Sequence, residues 1–206
     1  MASGGERSLT YLLISNMYPD SDSDVYGVFI RNIETGLLQH GVQVDRIVIA
    51  GRGKSGWSKI RKYARFYWKV MTAKLDRYDV VHVSYPSHSY LPLMLRRMGR
   101  AKFVVRLHGL DLVGGAEDTL AHRIGRFFSG IAIQGADLVV VPSRYFASEL
   151  TRRHRVKQVY VYPSGGVDLD IFSPATDPVR DPMVSCVGRL DRLKGVDVLI
   201  QALART

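Results

Sequence analysis

Short apolar runs rich in β-branched residues punctuate the chain at residues 10–15, 43–50, 80–84, 102–107, 136–141, 159–162 and 183–187. Helix-like stretches separate them, at 29–40, 57–76, 88–97, 120–134, 144–152 and 196–204. A run that is apolar at consecutive positions is what a strand shows when helices cover both faces of its sheet. The alternation therefore predicts an α/β protein with a Rossmann-like, doubly wound parallel sheet. Gly41 stands where a C-cap would end the first helix, and Ser143 where an N-cap would start the helix at Arg144. Phe146, three residues after Ser143, means that there is no capping box.

Residues 173–182, SPATDPVRDP, carry three prolines and stop both helix and sheet pairing. They predict a Rossmann-like domain at 1–172, a linker at 173–182 and the start of a second domain at 183–206. That last piece holds one strand, one turn and one helix, too little to bury a core. The sequence is expected to stop in mid-domain, with the stub either poorly ordered or adopted by a neighbouring copy through its apolar strand. Cys186, inside that strand, is expected as a small buried residue.

Composition narrows the class. With 46% hydrophobic and 23% charged residues in 206, the chain is globular rather than disordered. A single cysteine excludes an intramolecular disulfide and a multi-cysteine metal site, and it fits a reducing, cytoplasmic setting. The polar residues 1–8 and the break at Ser15 and Asn16 predict no secretory leader, and no run of about 18 apolar residues predicts a transmembrane helix. Membrane contact is therefore expected to be peripheral, on the inner face of the cell membrane.

The net charge of +10 is uneven: residues 52–77 hold nine of the 29 lysines and arginines but one of the 19 acids. On a helix, Trp57, Ile60, Ala64, Tyr67 and Met71 recur at three- and four-residue spacing. Lys59, Lys62, Arg65, Lys69 and Phe66 lie largely elsewhere, and Tyr63 and Trp68 add aromatics. Trp57, Lys59, Arg61, Lys62, Arg65, Trp68 and Lys69 form a candidate patch for an acceptor or an anionic membrane. An amphipathic helix covering the sheet shows the same pattern. Nucleic acid is not expected as a partner, because no recognised nucleic-acid module surrounds the segment.

The sharpest motif is VSCVGRLDRLKGVDVLIQALA, residues 184–204. A strand ending at Gly188 is followed by Arg189, then by Lys194 and Gly195 ahead of a helix. Two cations thus sit beside a helix N-terminus at the carboxyl end of a parallel strand, where a diphosphate can bind. Arginine grips phosphate oxygens in pairs and lysine adds a point charge. Two exposed bases in a turn are the plain alternative.

This string resembles the "VGRL…KG…LI.A" segment of glycosyltransferase family 4, a family of GT-B type. PSGGVDLDIFSP (163–174) is similar to that family's "PNGVD…F.P" element, with Ser164 replacing asparagine and one extra glycine. RLHGLDL (106–112) resembles its "HG.D" segment, and DVVHVSYP (79–86) and ADLVVVPS (136–143) its cleft-opening strands. In NMYPDSDSDVYGVFIR (16–31), the Gly27-Val28-Phe29 end matches the family's glycine loop, but Tyr26 replaces its first glycine. Asp20, Asp22 and Asp24 make this loop a poor phosphate cradle; they face acceptor hydroxyls or are simply solvated.

The resemblance implies the N-terminal, acceptor-binding half of a GT-B fold plus the first strand and helix of the donor-binding half. It implies retaining transfer of a hexose from a nucleotide sugar to a lipid-linked or polysaccharide acceptor. His108 and Asp111 are then catalytic, and Arg189, Lys194 and Gly27 hold the donor phosphates. No metal and no cofactor are implied. The family's paired-glutamate motif, E-x7-E, is lacking, so the chain alone is expected to be inactive, and self-association through residues 183–206 is expected as a partner interaction. The competing class is a non-catalytic carbohydrate- or membrane-binding module on the same fold.

Overall fold

The computed structural model describes residues 8–21, 26–51, 55–108, 119–163, 173, 184–188 and 194–204. The chain divides into two units, Met1–Gly166 and Val167–Thr206. In the first, six strands form one sheet: β1 (Thr10–Tyr18), β2 (Gln43–Ala50), β3 (Val80–Ser84), β4 (Lys102–Arg106), β5 (Leu138–Val141) and β6 (Val159–Val161). Their order is β2-β1-β3-β4-β5-β6 and every pair is parallel. The expected α/β, Rossmann-like sheet is therefore what folds, consistent with the N-terminal half of a GT-B fold.

The connecting helices are α1 (Val28–Gln39), α2 (Gly56–Thr72), the four-residue α3 (Pro86–Ser89), α4 (Leu120–Gly135) and α5 (Arg144–Arg153). Strand order decides which face each one covers. The β1-to-β2 step runs one way along the sheet and every later step runs the other way. Right-handed crossovers then put α1 on one face and its successors on the opposite face. The packing agrees. Leu12, Ile14, Val81, Val83 and Phe103 join Phe66 and Val70 of α2, Ile133 of α4 and Leu150 of α5 in one core. Leu13 and Tyr18 pack with Ile30 of α1 in the other.

The caps are where the sequence places them. Gly41, at φ 74°, follows α1 in the left-handed conformation, and its N–H donates to Leu38 O at 3.0 Å. Ser143 Oγ accepts from the Phe146 N–H at 3.3 Å.

Two elements differ from expectation. The helix predicted over 88–97 is replaced by α3 and a single 3₁₀ turn, Leu91–Leu93. Pro92 explains this: it has no N–H to donate, and its ring would meet the His88 carbonyl of a continuing α-helix. The stretch predicted over 57–76 closes at Thr72, with a separate 3₁₀ turn at Leu75–Arg77.

In the second unit, residues 184–188 are not in a strand and α6 spans Val196–Leu203. The strand predicted over 183–187 is thus absent among the described residues, and Cys186 is exposed rather than buried. An isolated strand has no ladder of partners to satisfy its backbone. Apart from Ser173, the linker 173–182 lies outside the described residues.

Candidate functional site

In an open α/β sheet, ligands bind beyond the carboxyl ends of the strands, where the strand order reverses. Here that point lies between β1 and β3. Gly27 closes the connection from β1 and precedes α1, at φ 80°. A Cβ at this position would lie 2.8 Å from the Tyr18 N and 2.9 Å from its Cα. Only glycine lets the start of α1 lie this close to the β1 backbone.

The neighbouring strands deliver aromatic rings to the same edge. Tyr85 follows β3 and His108 lies two residues beyond β4. Their rings stack, with centroids 4.2 Å apart and planes 14° from parallel. Phe29, in the first turn of α1, lies 4.9 Å from the His108 ring and 6.1 Å from that of Tyr85. Tyr85 has φ 56° and ψ 66° although it precedes Pro86, a combination that costs about 1–3 kcal/mol. The surrounding packing holds this backbone, and the Tyr85 ring supplies the platform for His108.

Charge around these rings comes from Arg106, at the end of β4. It is buried, with its guanidinium 4.8 Å from the centre of the Tyr162 ring. Burial lowers its pKa, yet it remains the cation of the cluster. Burial, and then Arg106, push the His108 pKa down to about 3. The imidazole is accordingly neutral at physiological pH. His82 of β3 behaves alike: burial, then Arg106 and His108, lower its pKa to about 3. Its Nδ1 shares a 2.8 Å hydrogen bond with Tyr11 Oη, and burial raises the pKa of that tyrosine.

On the other flank, Asn16 near the end of β1 and Lys59 and Lys62 of α2 line a cavity of about 370 Å³. The Asn16 Nδ2 donates to Tyr63 Oη at 3.2 Å, and the Lys62 Nζ donates to Ala50 O at 2.6 Å. A second cavity, of about 500 Å³, lies beside the carboxyl half of α2, between Lys69, Lys74 and Asp45. Its lining includes Leu12 and Asp45, near the amino ends of β1 and β2, and Tyr78, ahead of β3, whereas the rings stand at the carboxyl ends.

Helix α2 corrects the predicted stripe. Phe66 and Val70 are buried, with Tyr63 and Tyr67 packed beside them, so positions 63, 66, 67 and 70 face the sheet. Trp57 is 82% exposed, Ile60 61% and Met71 47%, and Ala64 is exposed too. A helix offers one stripe to the layer beneath it. The aromatic one takes that place and the other is left outward.

A family model described as "Glycosyl transferase 4-like domain" matches residues 31–165. The chain belongs to that family. It is thus a glycosyltransferase family 4 chain of GT-B type, as the motifs imply. The chain is 28% identical over 144 residues to a D-inositol 3-phosphate glycosyltransferase of Corynebacterium aurimucosum, covering 62% of this chain and 34% of that protein. Proteins with the same description from Corynebacterium diphtheriae and Xylanimonas cellulosilytica are 26% and 29% identical, over 62% and 61% of this chain. The chain spans about a third of the length of these relatives.

Within this glycosyltransferase half, the structure brings Gly27 and His108 to one edge of the sheet, joined through Phe29. Asp111 and Arg189 lie outside the described residues. Lys194 is exposed and immediately precedes Gly195, the left-handed N-cap residue of α6. Among the described residues, no helix is long and apolar enough to cross a membrane. Sequence reasoning missed Tyr85, Phe29, Arg106 and Asn16. Arg106 carried a readable signal, a charge closing an otherwise apolar strand. The stacking of Tyr85 on His108 joins residues 23 positions apart and depends on the β3–β4 register, in which Ser84 pairs with Arg106.

Proposed function

We propose that this chain is the acceptor-side half of a retaining transferase that moves a hexose from a nucleotide sugar to an acceptor hydroxyl. The observation that carries the reading is the neutral, stacked His108 at the crevice between β1, β3 and β4. A neutral imidazole can exchange hydrogen bonds with a sugar hydroxyl without adding charge beside Arg106. In this reading Asp111 assists His108, and Gly27 lets backbone approach the donor diphosphate. Arg189 and Lys194 neutralise the diphosphate as it leaves, doing electrostatically what a metal does elsewhere. The acceptor hydroxyl attacks from the face the diphosphate departs, and closure of the two halves limits hydrolysis. The domain limits that go with this are 1–172, a linker at 173–182, and a donor half that begins at 183.

The acceptor is a hydroxyl compound that is lipid-linked, part of a polysaccharide, or a phosphorylated polyol such as the relatives' name contains. The test is sugar transfer by a polypeptide that carries this chain and a complete donor half. Neutralising Arg189 and Lys194 together should lower kcat by roughly 100- to 1,000-fold, and His108→Ala by about 100-fold. Full transfer by both variants would defeat the proposal. Sugar binding with no transfer by the intact polypeptide would favour a non-catalytic module.

One observation favours a second property, peripheral binding to anionic lipid. The outward side of α2 carries Trp57, Ile60, Trp68 and Met71 beside Arg61 and Arg65, with no acid in the helix. Apolar anchors among bases suit a negatively charged bilayer surface, each base adding ~1 kcal/mol of attraction. Sedimentation with anionic vesicles should fall steeply with salt. Equal binding to neutral vesicles would remove the electrostatic case.

A further inference from the structure

The cavity of about 500 Å³ at the amino end of the sheet is bounded by α2, by β2 and by the turn ahead of β3. Lys62 shows which flank of α2 meets β2, because its Nζ donates to Ala50 O at the carboxyl end of that strand at 2.6 Å. Lys69 stands two helical turns further on the same flank, about 10 Å along the axis, and so faces the amino-terminal half of β2. Cations near a helix C-terminus ordinarily serve its last carbonyls. In α2 that place is taken by Arg96, whose guanidinium donates to the Met71 and Ala73 carbonyls. Lys69 and Lys74 are left lining the cavity, and among the described residues neither has an ion-pair partner.

Asp45 is the one carboxylate among the described residues of the lining. Its Oδ2 accepts from the Tyr78 hydroxyl and from Arg77 Nη2, each at 2.7 Å. Both side chains of the Arg77–Asp45 pair are more than half exposed, so solvent screens it and a competing anion can draw Arg77 away at little cost. Arg46 also borders the cavity, but its guanidinium bonds Glu34 of α1, on the other face of the sheet, at 2.6 Å. Lys69, Lys74 and Arg77 against Asp45 leave a net charge of +2. Leu12, Ile47 and Ala73 make the rest of the lining apolar. A smaller cavity, of about 230 Å³, shares Asp45, Arg77 and Tyr78 with the first, so the ion pair stands between the two.

We propose that this cavity is a second ligand site, one that takes an organic phosphate monoester at the end of the strands opposite the rings. The phosphate lies among Lys69, Lys74 and Arg77, which donate to its oxygens, and the organic body covers Ile47 and Ala73. A monoester carries close to two negative charges at neutral pH, which matches the charge of the lining. The volume falls in the range of small-molecule sites and exceeds what a bare phosphate fills, so a body beside the phosphate is required. Roughly 15–20 Å of β1 separate the site from the crevice, and a ligand held here touches none of the residues placed there. The site therefore stands or falls independently of the transferase reading. A soluble sugar or nucleoside phosphate and the headgroup of phosphatidic acid carry the same chemistry.

The experiment is calorimetric titration of the 206-residue chain with phenyl phosphate and with inorganic phosphate, followed by sedimentation with phosphatidylcholine vesicles that contain or lack phosphatidic acid. Phenyl phosphate should bind at one site and at least about fivefold more tightly than inorganic phosphate, which lacks the body. Lys69 and Lys74 are exposed, so Lys69→Gln and Lys74→Gln should fold normally and each weaken binding about five- to tenfold. Arg155→Gln, an equal loss of charge beside the opposite edge strand β6, should change it less than about twofold. Asp45→Asn removes the competing carboxylate and should tighten binding about threefold, a gain that damage to the fold would not produce. Phosphatidic acid vesicles that bind the chain, release it to phenyl phosphate and fail to bind the Lys69→Gln/Lys74→Gln double variant would identify a lipid headgroup as the source. Tight phenyl phosphate binding without that competition would identify a soluble ester. The absence of saturable binding, equal affinity for the two phosphates, or equal weakening by the Lys74 and Arg155 variants overturns the proposal.

Discussion

Residues 10–15 with α1 and residues 184–188 with α6 are built from the same kind of sequence: an apolar run, a turn and an amphipathic helix. In the first, β1 lies between two parallel neighbours, and Leu12, Leu13 and Ile14 are at most 1% exposed. In the second, no described residue is buried, and Val187, Val198 and Ile200 are exposed by 97, 65 and 62%. The difference teaches that apolar pattern records a capacity for burial. Burial itself needs a second layer, and a strand needs neighbours to pair with.

That contrast can be broken by experiment. The largest expected effect is at β1: Ile14→Ala removes three carbons from the centre of the core and should destabilise the chain by about 3–5 kcal/mol, read as a lower urea midpoint. A loss below about 1 kcal/mol would mean that β1 is not as enclosed as its burial indicates.

A smaller effect separates the site-bearing edge from a plain core. His82 and His108 have pKa values near 3 in the folded chain against an ordinary value of 6.5, so the unfolded chain takes up protons that the folded chain refuses. Stability is then complete above about pH 6.5 and falls as pH drops toward 3, by roughly 2–4 kcal/mol for a histidine buried this fully. Urea midpoints across that range should show the slope, and His82→Gln should flatten it. An unchanged slope in that variant would place the titration elsewhere.

The smallest effect is expected in α6. Ile200→Ala should change the unfolding midpoint of the 206-residue chain by less than about 0.5 kcal/mol, because its side chain is already in water. A loss like that of Ile14→Ala would show that α6 is covered in solution.

Much of the fold was legible because its signals are local. Runs at 43–50 and 80–84 coincide with β2 and β3, and Gly41 and Ser143 act as caps, since consecutive apolar residues and capping groups describe short stretches of backbone. The helix predicted over 88–97 fails at Pro92, which breaks the α-helical ladder inside an otherwise helix-like stretch. The stripe predicted on α2 is not the buried one, because two apolar rows compete for one sheet-facing side and only the sheet beneath decides between them.

The sequence by itself determined the α/β class, the parallel strands and the family, for each is written in residues adjacent along the chain. The tertiary structure alone decided that His108 stacks on Tyr85, that burial, helped by Arg106, keeps two histidines neutral, and that Asn16 lines a cavity with Lys59 and Lys62. Those relations join distant residues through strand order and register, and an electrostatic shift exists only once water has been removed from around the groups that meet.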